Sequence, residues 1–497
     1  MKTSFQNNDK EFIFKSLAII FIWLISFTFE NLILAYVASS LGCFITFLYI
    51  TKFFNASLNP IKFLSLSAVG LFFITSLSVI ISSYFIRKFY NLNLFEFFKT
   101  IQNIPVESYL LAIIFTLLFS LILFIFSLRN ELILKENYIF NRLNEITTTD
   151  SKKINFMIIF MIFFEIIMNL TGFVEYRDLN NENYKIGVID PWMPYLIYIF
   201  HFHIALTSLI TVKYRNKFNL KNSLLIILSV LLIGYFFFTR GRFSFILAFI
   251  ELFFWYCFFN KNAPKLKSII FSLTIIIPLF YSLSLFNQLL RMSLYTQNDN
   301  YKQSLTEQIT NAYDLWLMRD MREINSEKNN QNLTFRSLVV TPLAVSIYLK
   351  RSQKQHLLGE NIFNNFIWTI PRMIYPNKIN FPIGELLMVK FGLYFSDTSN
   401  SLYLASYIDF WWFGVLIYPM LFYFYWRFLL FILTYKNFDP LIILLILSSA
   451  FPIFLNIGEG SILGFIVFMR NSAILLLIFS IFPKSKKPDE ISKDSLK

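Results

Sequence analysis

Two short arginine-containing strings hold the residues of this sequence whose types and spacing suggest chemistry. Thr239–Arg242 reads TRGR between two apolar runs, and Ile370–Lys378 reads IPRMIYPNK, with prolines that bracket Arg372. The planar fork of arginine makes two parallel, charge-assisted hydrogen bonds to a phosphate, and proline stiffens the backbone next to the cation. The strings therefore indicate phosphate binding. Arginines that reach toward lipid head groups are an equal alternative for the first string, and an exposed charged loop is the alternative for the second.

The chain that must position these strings is strongly apolar. Of its 497 residues, 56% are hydrophobic and 15% are charged, whereas soluble domains are about 45–50% apolar and about 25% charged. No soluble core buries this much apolar surface, which excludes a soluble enzyme and a secreted disulfide scaffold. The net charge of +14 lies mainly in short connections between apolar runs, as topology signals do, so it does not indicate nucleic-acid binding. We predict an all-α polytopic membrane protein.

Runs of about 20 mainly apolar residues predict about twelve transmembrane helices. The runs are 12–29, 32–51, 63–86, 108–128, 154–174, 195–212, 223–239, 243–259, 268–290, 412–434, 440–456 and 461–482. They divide the chain into a first bundle (1–290), a long loop (291–411), a last bundle (412–482) and a tail (483–497). Lys and Arg are concentrated in the connections that are cytoplasmic when the N-terminus is inside. The positive-inside rule therefore predicts that both termini are cytoplasmic and that the long loop lies outside.

The long loop contains two apolar stretches, Ser337–Tyr348 and Asn361–Ile370. Both are too short to span a bilayer, and stretches of this length are typical of interfacial or re-entrant segments. The loop is therefore predicted to be ordered.

Three charged residues, Glu165, Glu251 and Arg470, lie near the middle of predicted spans. Charges inside a membrane are costly and are functional candidates by default, and buried ion pairs that fix helix packing are the favoured alternative. His201 and His203 are two residues apart, so they face different directions on a helix. The sequence also has no glycine-rich phosphate cradle. We expect no catalytic metal and no nucleotide cofactor.

The order of these features resembles the O-antigen polymerases of the Wzy type, also called oligosaccharide repeat-unit polymerases. The resemblance rests on the arginine–glycine–arginine turn, on the proline–arginine string in a long outer loop, and on the aromatic re-entry Trp411–Gly414. The stretches that carry these motifs cover 235–260 and 335–430. Family members commonly have a proline directly after the lysine of the string, where this chain has Ile379.

This resemblance implies a glycosyltransferase of the bacterial inner membrane that works on the periplasmic side. Such an enzyme moves a growing glycan from undecaprenyl diphosphate to the non-reducing end of a new lipid-linked repeat unit, without a metal or another cofactor. It implies a fold similar to the large multi-helix lipid-sugar glycosyltransferases. Its expected partners are the undecaprenyl-diphosphate-linked oligosaccharide, membrane lipids and a separate chain-length regulator protein, and no nucleic acid.

The resemblance also suggests roles for individual residues. Fixed cations stabilise the charge of the lipid diphosphate as it leaves, a role expected for Arg240, Arg242, Arg372 and Lys378. A general base takes the proton of the acceptor hydroxyl, with Glu385 as the first candidate, His356 as another, and Glu360 and Asp409 as further ones. Aromatic side chains expected to stack on sugar faces are Trp368, Tyr375 and Tyr403.

The sequence also allows other functions. An O-antigen ligase has the same topology and the same lipid diphosphate donor, but delivers its glycan to the lipid A core. A flippase or transporter of lipid-linked glycan needs a cationic cavity along the spans and short loops, which fits the long ordered loop less well. A structural or assembly protein without catalysis is the last alternative.

Overall fold

The computed structural model describes most of the chain between residues 106 and 481. The described ranges are 106–127, 130–148, 151–170, 193–215, 219–240, 242–260, 340–350, 356–370, 401–435, 438–455 and 462–481, with residue 375 and isolated positions between 282 and 318. Every regular element in these ranges is a helix. The all-α prediction is therefore confirmed for the described part. The predicted spans 12–29, 32–51 and 63–86 and the tail lie outside it, and so does 268–290 apart from two positions.

The helices follow one another in a simple order along the chain. They are α1 (Val106–Ser127), α2 (Asn130–Thr148), α3 (Ser151–Leu170), α4 (Met193–Tyr214), α5 (Leu220–Arg240), α6 (Arg242–Asn260), α7 (Val340–Lys350), α8 (Glu360–Thr369), α9 (Leu402–Phe410), α10 (Gly414–Tyr435), α11 (Pro440–Leu455) and α12 (Ile462–Ile481). A 3₁₀ turn, Trp411–Phe413, joins α9 to α10.

One helical stretch of the described part, Leu402–Thr434, is long and apolar enough to cross a membrane. It comprises α9, the 3₁₀ turn and nearly all of α10. Shorter apolar helices occur at Ile114–Leu123, Leu220–Tyr235, Leu247–Asn260, Pro440–Ala450 and Phe465–Ile478. The count of about twelve spans stays a prediction.

The helices belong to two compact units. The first unit contains α1, α2, α7 to α12 and the Pro194–Phe202 part of α4, and the second contains α3, α5, α6 and α4 from His203 onward. In the first unit α1 packs against α7 and α10, α2 packs against α10 and α11, and α8 packs against α9 and α12. Aromatic rings fill the core between α1 and α9, where Phe115 meets Tyr407 edge-on at 5.5 Å and Phe119 meets Tyr403 at 5.2 Å.

Hydrogen bonds fix the helix directions in the second unit. Ser208 on α4 donates to the Leu252 carbonyl of α6 at 2.8 Å, and Arg215 just after α4 donates to Asn260 at 3.1 Å. Both pairs advance along the chain in the same sense, so α4 and α6 run parallel. Asn155 near the start of α3 bonds Tyr214 at the end of α4 at 2.8 Å, which makes these two helices antiparallel.

Helix α2 lies where the sequence predicted only a cytoplasmic connection between two spans. Its residues Ile139, Leu143 and Ile146 are at most 1% exposed, and their spacing of four and three residues places them on one helix face. A search for uniformly apolar runs of membrane length does not detect such an amphipathic helix.

Candidate functional site around helix α8

The approach to α8 is fixed to the end of α9. Leu357 donates its backbone N–H to the Ile408 carbonyl at 3.1 Å, and Leu358 donates to the Asp409 carbonyl at 2.9 Å. The chain then reverses through Leu358 and Gly359, with φ of 49° and 91°. Glycine adopts this left-handed region without strain, and a Cβ at Gly359 would also come within 3.1 Å of the Phe410 ring. The start of α8 is thus held at a defined place.

The side chain of Asp409 on α9 caps the first turn of α8. Its side chain is fully buried. Oδ1 accepts the backbone N–H of Asn361 at 3.1 Å, and Oδ2 accepts the Tyr418 hydroxyl at 2.7 Å. A carboxylate at this position satisfies an N–H group that has no partner within the helix, and it interacts favourably with the helix dipole. Both carboxylate oxygens serve the fold, which favours a structural role for Asp409.

His356 lies beside this junction. Its Nδ1 is 3.2 Å from the Ile408 carbonyl oxygen, which accepts hydrogen bonds only, so the ring proton is on Nδ1. The ring stacks near Trp411 at 6.1 Å and meets Tyr407 edge-on at 5.7 Å. The hydrogen bond to the Ile408 carbonyl holds the neutral imidazole in the tautomer that carries its lone pair on Nε2.

The C-terminal end of α8 is held by a residue about one hundred positions away in the sequence. Arg470 of α12 donates from Nη1 to the Thr369 carbonyl at 2.6 Å. This hydrogen bond satisfies one of the carbonyls at a helix end that have no partner within the helix. Its Nε and Nη2 donate to Oδ1 of Asn471 at 2.9 and 2.8 Å. The chain leaves α8 next to this guanidinium and continues through Ile370 to the proline–arginine string. In the sequence, Arg470 and the string are separate features. Only the fold brings Arg470 to the end of the helix that precedes the string.

The three aromatic candidates lie in different settings. Tyr375 is 45% exposed, whereas Tyr403 is 2% exposed and packs edge-on against Phe119 in the helical core. Trp368 belongs to the last turn of α8, and its side chain lies outside the described part.

Three of the charged candidates fall outside the described residues. Arg372, Lys378 and Glu385 are not among them. Arg240 is the last residue of α5 and Arg242 is the first residue of α6, so the two helices end and begin where the sequence predicted a turn. Only the backbone of these two arginines belongs to the described part.

Two carboxylates are buried in the described part of the second unit. Glu165 of α3 accepts a hydrogen bond from Nδ1 of His203 on α4 at 2.6 Å, with 1% and 0% of the two side chains exposed. Glu251 accepts the indole N–H of Trp255 at 3.3 Å. The first contact joins two helices, as expected for a buried pair that fixes helix packing. Among the described residues, no group of three His, Cys, Asp or Glu side chains has an arrangement that could hold a metal ion.

Comparison with protein-family models, with curated proteins and with solved structures finds no match to this chain.

Proposed function

We propose that this protein is a multi-pass glycosyltransferase of the O-antigen polymerase type, in the inner membrane of a bacterium. It transfers a growing glycan from undecaprenyl diphosphate to the non-reducing end of a new lipid-linked repeat unit, on the periplasmic side. The observation that carries the proposal is the anchoring of α8. The helix is held at its start by Asp409 and at its end by Arg470, so the proline–arginine string leaves from a fixed point.

The surface of the described helices supports a membrane location. Phe156, Phe160 and Phe163 of α3 are 70%, 55% and 62% exposed, and Phe424, Phe428 and Phe431 of α10 are each 51% exposed. The spacing of three and four residues places each set on one helix face. Large exposed apolar patches mark membrane or interaction surfaces. The antiparallel α3 and α4 and the parallel α4 and α6 also agree with helices that cross a membrane in alternation.

The position of α8 along α12 supports a re-entrant segment. Arg470 is the ninth residue of α12, which places it about 12 Å along the helix axis from Ile462. In the proposed topology α12 enters the membrane from the periplasm at Ile462. In this topology the C-terminal end of α8, where the arginine string begins, lies below the outer surface at which a lipid carrier presents its diphosphate.

The chemistry requires one nucleophile, one base and a stabilised leaving group. The acceptor hydroxyl oxygen attacks the anomeric carbon of the donor glycan, and the bond from that carbon to the phosphate oxygen breaks with its electron pair. The released undecaprenyl diphosphate keeps the negative charge, which fixed cations stabilise electrostatically. Arg372 and Lys378 are the candidates for this role in the first unit. The proton of the hydroxyl passes to Glu385 or to Nε2 of His356. The hydrogen bond to the Ile408 carbonyl places the basic nitrogen of the His356 ring at Nε2.

A gene-replacement experiment tests the polymerase role and the part of Arg372 in it. A strain that lacks the gene is expected to carry single repeat units in place of a glycan ladder, and the wild-type gene is expected to restore the ladder. Arg372→Ala should fail to restore it at normal protein levels, and Arg372→Lys should restore it poorly because the bidentate fork is lost.

Different patterns of glycan lead to different conclusions. A normal ladder from well-expressed Arg372→Ala contradicts the diphosphate role. A core without any repeat, together with polymer accumulating on the lipid carrier, identifies a ligase instead. A ladder that is unaffected by deletion of the gene contradicts both glycan-transfer functions.

A further inference from the structure

Two residues with side chains adopt backbone angles that favour glycine, and both belong to the junction of α8 with α9. Leu358 has φ of 49°, and Trp411 has φ of 55° with ψ of −137°. They are the two non-glycine residues with positive φ in the described part of the chain. A side chain in this region crowds its own backbone, which makes each conformation costly. The fold therefore stores strain at this junction.

The two strained residues are linked by direct contacts. Leu358 donates its backbone N–H to the carbonyl of Asp409 at 2.9 Å, two residues before Trp411. The ring of His356, two residues before Leu358, stacks near the Trp411 ring at 6.1 Å. The Leu358 side chain is 81% exposed, so its own burial does not offset the cost of its backbone conformation. Contacts of the junction hold both residues in place.

The buried carboxylate of Asp409 is the strongest of these contacts. It accepts the Asn361 N–H of α8 at 3.1 Å and the Tyr418 hydroxyl of α10 at 2.7 Å, so one side chain joins three helices. Hydrogen bonds to a charged acceptor are stronger than those between neutral groups. While they persist, the backbone at the junction cannot relax.

We infer that the junction of α8 with α9 is a strained hinge. Asp409 is the latch that keeps it closed, and the strain at Leu358 and Trp411 favours its opening. In the open state the backbone hydrogen bonds of Leu357 and Leu358 to α9 are broken and the two strained residues relax. The contact of Arg470 with the C-terminal end of α8 is then the pivot.

The hinge has a consequence for catalysis that rests on the proposed function. The hydrogen bond of His356 to the Ile408 carbonyl is part of the junction, so opening releases the imidazole from its fixed orientation. The hinge therefore controls whether the candidate base is in position.

Hydrogen exchange of the purified full-length protein in lipid nanodiscs tests the hinge. Local opening exposes backbone amides, and their exchange rate rises with the open fraction. Leu358→Gly removes the strain at one residue and should lower the exchange rate of 356–370 about 3- to 10-fold, relative to that of α12. Asp409→Asn weakens the latch and should raise it about 10-fold.

Leu357→Gly is the matched control. Leu357 is the same residue type one position earlier, and its φ is not positive. Glycine there relieves no strain and adds backbone freedom, so it should raise the exchange rate. If Leu358→Gly raises the rate as much as Leu357→Gly does, no strain is stored and the inference is overturned. If Leu358→Gly does not fold, Leu358→Asn replaces it, because asparagine tolerates the left-handed region, and an exchange rate at or above that of the wild type overturns the inference.

The hinge and the proposed function fail in different assays. If 356–370 exchanges only together with α12, the junction does not open locally and the hinge is overturned, whatever the glycan ladder shows. If Leu358→Gly lowers the exchange rate while deletion of the gene leaves the ladder intact, the proposed function fails and the hinge stands. Ladder growth that slows with Leu358→Gly supports the use of the hinge in catalysis, and an unchanged rate of growth overturns that use.

Discussion

The polar residues around α8 differ in how much of their hydrogen-bonding capacity the fold consumes. Asp409 uses both carboxylate oxygens inside the first unit. Arg470 retains two N–H donors in the described part, and His356 is oriented through Nδ1, so that Nε2 carries the lone pair. Asp409 is therefore suited to hold the start of α8, and the hydrogen bond of His356 defines which of its ring nitrogens is basic.

Replacement of His356 tests its role as the base that accepts the proton of the sugar hydroxyl. If it acts in this way, His356→Ala should lower kcat/KM about 10²- to 10⁴-fold and remove the acidic limb of the pH–rate profile. Asn364→Ala, on helix α8 shortly after His356 in the chain, is the control and should keep the profile. If His356→Ala retains the acidic limb and Glu385→Gln loses it, Glu385 is the base and the assignment to His356 is wrong.

Residue types were visible in the sequence, but their partners were not. Arg470 was recognised as a charge within an apolar run, yet its contact with Thr369 spans 101 positions and arises only when α12 packs against α8. Asp409 was considered as a base, whereas its carboxylate holds the start of α8. Such roles depend on tertiary packing, which residue spacing along the chain does not encode.

Among the elements, α8 is the one whose position matters most for the proposed chemistry. Asp409→Ala leaves the Asn361 N–H and the Tyr418 hydroxyl without their acceptor inside the core, so it should destabilise the fold by about 1–3 kcal/mol for each unsatisfied group. Asp409→Asn keeps an acceptor oxygen and should cost less. Thermal unfolding of the purified variants measures the effect.

Asp439 provides the matched control for this prediction. It caps its own helix by accepting the Leu441 N–H at 2.8 Å, and loss of an ordinary cap costs about 1 kcal/mol. Asp439→Ala should therefore be the milder variant. An Asp409→Ala protein as stable as Asp439→Ala would show that α8 does not depend on the carboxylate.

Several helices were predicted with small errors because their signal is local. The predicted runs 108–128, 243–259 and 440–456 correspond to α1, α6 and α11, and the apolar stretch Asn361–Ile370 corresponds to α8. The run that was predicted to begin at 412 is different. The helical stretch of membrane length begins at Leu402 and is interrupted at Trp411, whose φ is 55°. A backbone break of this kind depends on the packing of α9 against α10 and is not visible in composition.

At the scale of the whole molecule, the amino-acid composition and the exposed side chains both indicate a lipid environment. The high apolar content of the chain and the exposed phenylalanine stripes of α3 and α10 both fit helices surrounded by lipid. In the proposed function the membrane also supplies the lipid carrier, and the arginine string begins at the anchored end of α8. Without the membrane the proposed reaction has neither donor nor acceptor.

Reconstitution of the purified protein with one substrate tests the polymerase function most directly. The substrate is the undecaprenyl-diphosphate-linked repeat unit, in liposomes that contain a chelator and no other protein. We expect a ladder of lipid-linked products that differ by one repeat unit, with release of undecaprenyl diphosphate at each step. The same ladder should be absent with Arg372→Ala protein of normal stability. A single unextended repeat unit from active, folded wild-type protein would contradict the proposal, and transfer of the glycan only when lipid A core is added would identify a ligase.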